Sequence, residues 1–184
     1  TQHSLQVANE AKKAGETEEV QVACFLHDIG HLLGLETNAG LDMEGCGINN
    51  HEIIGAEFLN LIGFTDNIVN IIINHVNAKR YLCGKYKDYY SKLSEASKTT
   101  LKYQGGPMTE IEQQSFEKNS QFEIILRCRK YDELGKDTDN LLDVTDNSIY
   151  DLCYKYMLYK NSLVDKYILS NIQKNFYEKE GYLI

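Results

Sequence analysis

From Ser4 to Lys13 the apolar and small residues Leu5, Val7, Ala8 and Ala11 return at helical spacing, and Gly15 stops the run. Thr17 supplies an N-cap hydroxyl, with Glu18 and Glu19 where a helix's positive end favours them, and Val20 to Leu26 carries an apolar face up to a His-Asp pair. Gly30 weakens that helix just past the pair. Gly34, Gly40, Gly45 and Gly47 then fall without a sustained period, which predicts a long loop from Gly34 to Asn50, of a length that is often functional in a compact domain. His51 opens the next helix, whose stripe of Ile53, Ile54, Ala56, Phe58, Leu59 and Ile62 ends at Gly63. Thr65 and Asp66 start another, through Ile68, Val69, Ile71, Ile72 and Ile73 to His75. Tyr81 to Tyr90 is aromatic and charged with poor periodicity, and reads as a surface loop. A helix from Leu93 to Tyr103 breaks at Gly105-Gly106-Pro107, and Thr109 with Glu112 has capping-box spacing. Phe122 to Leu134 is strongly amphipathic, Thr145 and Asp146 begin a helix to about Tyr159, and Leu163 to Phe176 gives the last. Strand signals are scarce, so the pattern predicts an all-α fold.

Composition narrows the class. The 184 residues suffice for one well-buried core, and no Pro-, Gly- or Ser-rich linker divides them, so residues 1–184 are read as one domain. With 19 Lys and Arg against 27 Asp and Glu, the formal net charge is -8, which argues against a nucleic-acid partner while leaving room for a small anion held by a few local cations. Cys24, Cys46, Cys83, Cys128 and Cys153 are scattered without a CxxC pair and read as reduced thiols of a cytoplasmic protein. The apolar run from Ile68 to Ile73 is interrupted by Asn70 and falls far short of a bilayer span, so no membrane partner is expected.

The histidines carry the candidate chemistry. There are five, at positions 3, 27, 31, 51 and 75. Neighbours on one helix diverge by about 100° around its axis, so His27 and Asp28 do not easily chelate one ion as a pair, but they can serve two ions if the carboxylate bridges. His31, four residues after His27, has two readings, a contact to substrate or a second ligand to the same metal. Gly105-Gly106-Pro107 is given no catalytic role.

The order His3, His27-Asp28, His51, His75 and Asp132 resembles the HD-domain superfamily in its expanded form, where six side chains hold two metal ions. Four further blocks narrow the likeness: His75-Val76-Asn77-Ala78-Lys79-Arg80-Tyr81-Leu82, Leu93-Ser94-Glu95-Ala96-Ser97, Gln104-Gly105-Gly106-Pro107-Met108, and Arg127-Cys128-Arg129-Lys130-Tyr131-Asp132. Over about residues 1–159 the chain resembles the HD-domain mixed-valent diiron oxygenases of organophosphonate catabolism, distant relatives of myo-inositol oxygenase. The resemblance implies a single HD-domain helical bundle, with His3, His27 and Asp132 on one iron, His51 and His75 on the other, and Asp28 bridging. It implies two iron ions in a mixed-valent Fe(II)/Fe(III) pair, with O2 as cosubstrate. His27, Asp28 and His31 would stand at the reacting centre, while Lys79, Ser97 and Arg129 would hold the phosphonate, with Gln104 and His31 nearby. A doubly charged phosphonate needs cationic and hydroxyl donors, and a guanidinium can engage two oxygens at once. Arg129, three residues before Asp132, shares its helix face.

The reaction so implied is C–P cleavage in a small 1-hydroxyphosphonate such as 2-amino-1-hydroxyethylphosphonate, releasing phosphate and a carboxylate such as glycine. Two other readings stand beside it: hydrolysis of a nucleotide or other phosphate ester at the same metals, and a catalytically silent metal-binding regulatory module. The resemblance also implies a segment before Thr1, a lid carrying a tyrosine and a glutamate that reads the substrate's amino group.

Overall fold

A computed structural model of the chain describes residues 2–37, 42–136, 142 and 148–163. Ten helices run through the described residues: α1 Gln2–Lys13, α2 Glu18–Leu26, α3 Ile29–Thr37, α4 His51–Leu61, α5 Asp66–Lys85, α6 Lys87–Lys92, α7 Glu95–Tyr103, α8 Glu110–Phe116, α9 Phe122–Leu134 and α10 Ser148–Leu163. The β pairing described is an isolated bridge between Asp42 and Ile48. Among the described residues no helix is long and apolar enough to cross a membrane. The fold is all-α, as its hydrophobic spacing predicts.

The starts of these helices follow from their caps. Thr17, Thr65, Ser94 and Thr109 hold extended backbone, and each hydroxyl accepts the amide three residues on, satisfying one of the donors a helix start leaves free. Thr109 and Glu112 complete a reciprocal capping box.

The helix α5 lies at the centre. Its buried face, Ile68, Ile71, Ile72 and Ala78, belongs to one core with Val7 and Ala11 of α1, Val22, Ala23 and Cys24 of α2, and Ile125 of α9. This packing gathers His3, His27, Asp28, His51, His75 and Asp132 from four helices and the turn after α2.

Three expectations are corrected. Helix α2 stops at Leu26, His27 and Asp28 form a turn, and α3 then runs through both Gly30 and Gly34 to Thr37, where a weakened end and a loop were expected. Gly30 serves a helix crossing: a Cβ there would stand 1.8 Å from the His51 carbonyl oxygen, and one on Gly55 would stand 3.1 Å from the Gly30 nitrogen. The stretch from Tyr81 to Tyr90 is mostly helical, because buried Tyr81 and Cys83 extend the inner face of α5 and α6 follows after Tyr86. The start expected at Thr145 and Asp146, and all but the first residue of the helix expected from Leu163 to Phe176, lie outside the described residues.

Gly105 and Gly106 (φ +95° and +72°) make the turn after α7, and Arg80 donates to the Gly106 carbonyl at 2.9 Å and to Glu112 at 2.7 Å. The Gly-Gly-Pro stretch therefore clasps α5 to α8.

Gly30→Ala should destabilise the protein by at least about 3 kcal/mol, since its methyl would meet backbone that cannot rotate away. Urea unfolding followed by circular dichroism checks this, and an unchanged midpoint would show that the crossing is looser than described.

Candidate metal centre

Each of the four gathered histidines is turned by a hydrogen bond from its far nitrogen. The Nδ1 atoms of His27, His51 and His75 lie 2.8, 3.1 and 2.7 Å from the carbonyls of Cys24, Ile48 and Ile72, each three residues earlier. His3 Nδ1 lies 2.8 Å from the carbonyl of Gly135, across the crossing of α1 and α9. That crossing is close, because a Cβ on Gly135 would stand 2.9 Å from the Val7 nitrogen. A carbonyl can only accept, so all four Nδ1 atoms carry the hydrogen and a neutral ring offers its Nε2 lone pair inward.

The inward atoms form two groups joined by one carboxylate. Asp28 Oδ2 lies 3.2 Å from His27 Nε2 and 3.9 Å from His3 Nε2, while Asp132 Oδ1 lies 3.1 Å from His3 Nε2 and 3.9 Å from His27 Nε2. Asp28 Oδ1 faces the other way, 3.5 Å from His51 Nε2 and 3.7 Å from His75 Nε2. Donor atoms each about 2.1 Å from one ion stand roughly 3 to 3.5 Å apart, so both groups have the scale of a coordination shell.

Electrostatics favour cations here. Nε2 of His51 and Nε2 of His75 are 2.9 Å apart, two lone pairs facing each other. Burial, reinforced by His75, lowers the His51 pKa to about 2, and burial with the charge of His27 lowers that of His75 to about 4. A shared proton is therefore disfavoured at neutral pH, and a metal ion suits the pair. Burial also works against charge on His27, but Asp28 and Asp132 outweigh it and raise its pKa to about 9. Burial pushes the Asp28 carboxyl up, yet His27, His75 and His51 hold it well below its ordinary value. Neutral imidazoles with carboxylates fit iron and other borderline cations.

Beside this centre lies a cavity of about 150 Å³, walled in part by Met43, Val76, Lys79, Thr100, Gln104 and Arg129. Lys79 is buried and donates to Thr100 Oγ1 at 2.9 Å; burial, with the charge of Arg129, lowers its pKa to about 8. Arg129, 5% exposed, donates through Nε to the Tyr89 hydroxyl at 2.9 Å and through Nη1 to Asp132 Oδ2, leaving Nη2 buried without a partner. Gln104 Oε1 is likewise buried and unpartnered. A cationic donor and an acceptor thus remain unpartnered on residues that line a cavity also touching Asp28 and Asp132.

A family model described as HD domain matches residues 1–102. The chain belongs to the HD-domain family. It is 44% identical over 135 residues to uncharacterized protein L432 of Acanthamoeba polyphaga mimivirus, covering 73% of this chain and 61% of that protein. It is 42% identical over 139 residues to [1-hydroxy-2-(trimethylamino)ethyl]phosphonate dioxygenase (glycine-betaine-forming) of Leisingera caerulea, covering 75% and 69%. It is 38% identical over 138 residues to hydroxymethylphosphonate dioxygenase of Gimesia maris, covering 73% and 66%. These matches span between 61% and 69% of the relatives' own lengths.

In this HD domain the six side chains expected around metal come together, and so do His31, Lys79, Gln104 and Arg129 at the cavity. His31 Nε2 stands 3.9 Å from Asp28 Oδ1, and a site of Asp28, His31 and His51 is geometrically possible. The tautomer speaks against it: His31 Nδ1 accepts from the Ile48 amide at 3.0 Å, so its hydrogen is on Nε2 and it faces the centre as a donor. Its ring stacks on His51 at 3.7 Å, and a Cβ on Gly47 would stand 2.6 Å from it, so His51 and Gly47 fix its place.

Ser97 does not line the cavity, and its hydroxyl accepts from Ser94 at 3.0 Å. Thr100, one turn later, does. Its position between Ser97 and Gln104 at helical spacing was a signal for it, whereas nothing local marks Met43 or Lys136, which also line the cavity.

Metal-stripped protein loaded with Fe(II) under nitrogen and desalted should retain about two ions per chain. His51→Ala and His75→Ala should each retain about one, and His31→Ala should still hold about two. Elemental analysis decides this, and loss of an ion from the His31 variant would return that residue to the ligand set.

Proposed function

We propose that this HD domain is an iron-dependent oxygenase that cleaves the C–P bond of a small 1-hydroxyphosphonate, using O2 and releasing phosphate and a carboxylate. The substrate in this reading is one such as 2-amino-1-hydroxyethylphosphonate, with glycine as product, an activity like that of the glycine-forming 2-amino-1-hydroxyethylphosphonate dioxygenase. One observation carries the reading: Arg129, whose Nη2 is buried without a partner, lines with Lys79 the same cavity as the metal-binding candidates. Two relatives being named phosphonate dioxygenases supports it.

The overall reaction balances. The C1–H and C–P bonds break, one new oxygen ends on carbon and one on phosphorus, and a proton is released. His3, His27 and Asp132 would hold one iron and His51 and His75 the other, with Asp28 shared. When bound, this mixed-valent Fe(II)/Fe(III) pair would supply O2 activation and Lewis acidity toward the substrate hydroxyl.

The chain's own residues bind and orient. Arg129 Nη2 and Lys79 Nζ take the phosphonate oxygens, and Thr100, whose own hydrogen goes to the Ser97 carbonyl at 3.1 Å, holds Lys79 in place by accepting from it. Gln104 Oε1 accepts from a hydroxyl or ammonium of the substrate. His31 Nε2–H would donate to the substrate, while Met43 and Val76 would keep water from the reacting carbon. Arg129 also pairs with Asp132, so the anion site and one metal group share a contact. A cytoplasmic setting belongs to this reading and suits five free thiols.

An oxygen electrode and a phosphate assay over 1-hydroxyphosphonates that differ in their amine should show O2 uptake matched by phosphate release. Phosphate release from phosphate esters without O2 uptake would instead make the domain a phosphohydrolase.

Lys79→Met should raise KM with metal content intact, by the equivalent of about 2–5 kcal/mol for a lost charge-assisted contact. Arg129→Ala should raise KM and also weaken metal retention, because it strips Asp132 of its partner. Burial disfavours charge on Lys79, so its cation is present below about pH 8 and lost above it, and KM should hold steady below that pH and climb beyond it. Lys79→Arg should move the rise to higher pH, and a profile unaffected by this change would remove Lys79 from the anion site.

A further inference from the structure

Arg129 lines the cavity and is held there by groups that do not. Its Nε bonds to the hydroxyl of Tyr89 at 2.9 Å, and that hydroxyl donates onward to Glu133 Oε1. Glu133 stands close behind, its Oε1 3.3 Å from Arg129 Nε. The body of Tyr89, on α6, packs against the buried cluster of Cys83, Leu93 and Leu101, so the phenol is held at both its ring and its oxygen. Nη1 is occupied by Asp132, which leaves Nη2, buried and unpartnered, as the guanidinium nitrogen still able to take a ligand.

We propose that Tyr89 is a positioning residue that keeps Arg129 from closing its one-point contact with Glu133 into a two-point pairing, and so leaves Nη2 for the bound anion. A guanidinium prefers a two-point pairing with a carboxylate wherever one is within reach. Glu133 is one turn along α9 from Arg129 and offers such a pairing. The phenol occupies Nε and engages the same Glu133 oxygen, so the fork has nothing to gain by swinging back. Without that hydroxyl the guanidinium rotates onto Glu133 and takes Nη2 from the anion. The short helix α6 would thus tune affinity for the substrate's anionic group without touching substrate. This inference rests on the reading of the cavity as a phosphonate site.

The test uses the full chain loaded with iron, titrated under nitrogen with methylphosphonate, which lacks the hydroxyl that the reaction needs, and then assayed in air with hydroxymethylphosphonate. Tyr89→Phe should weaken methylphosphonate binding about tenfold and raise KM by a similar factor, while kcat falls less than about threefold and metal content matches wild type. Adding Glu133→Gln to Tyr89→Phe removes the competing charge and should recover at least about threefold of the lost affinity, a rescue that a merely structural role for Tyr89 would not give. Unchanged binding by Tyr89→Phe, a loss of metal or kcat with KM unmoved, or no recovery in the double variant would each overturn the proposal. Wild-type protein that binds no methylphosphonate would overturn the anion site itself and this inference with it, whereas normal wild-type binding with an idle Tyr89 leaves the proposed function standing.

Discussion

Two imidazole nitrogens that both present lone pairs repel each other at 2.9 Å, the separation of His51 Nε2 and His75 Nε2. His51 and His75 are placed in that way because the carbonyls of Ile48 and Ile72 take the hydrogens of their other nitrogens. Burial disfavours protonation as an escape. The same device orients His27 and His3, and Asp28 stands between the two groups with one oxygen toward each. The backbone hydrogen bonds of the bundle thus set an arrangement of imidazoles and carboxylates that suits metal ions.

The rest of the molecule makes this placement rigid. The Gly30 and Gly55 crossing lets the first turn of α4 approach the end of the His-Asp turn, and the Gly135 approach lets α1 lend His3 to the end of α9. Larger residues at Gly30 or Gly135 would separate the ligand-bearing helices. Asp28 and Asp132 raise the His27 pKa to about 9 against the pull of burial, so in the proposed centre a proton would compete with metal at this ring and metal should be bound more weakly as pH falls. On the far side, Arg129 joins Asp132 to the cavity, and anything that moves the guanidinium is felt at both places.

Much of this was legible in the sequence, for identifiable reasons. Helix starts at Thr17, Thr65 and Thr109 are local chemistry, a hydroxyl bonding an amide three residues on, and local chemistry can be read locally. The six metal candidates were found through their order along the chain, matched to a family pattern, since spacing alone cannot show that four helices converge. What escaped depends on contacts between distant segments. Gly30 reads as a helix breaker until α4 is seen against it, and Tyr81 to Tyr90 reads as loop because its apolar partners lie on other elements. The tautomer of His31 depends on the Ile48 amide, 17 residues away, which no motif records. Ser97 and Thr100 share one face of α7, and which hydroxyl lines the cavity is decided by Lys79 on α5.

The most direct measurement is anomalous diffraction at the iron edge from crystals of the iron-loaded protein grown under nitrogen. Two peaks are expected on either side of the Asp28 carboxylate, about 3.5–4 Å apart, one bounded by His3, His27 and Asp132 and the other by His51 and His75. A single peak, or one coordinated by His31 in place of His75, would contradict a centre built on a shared aspartate.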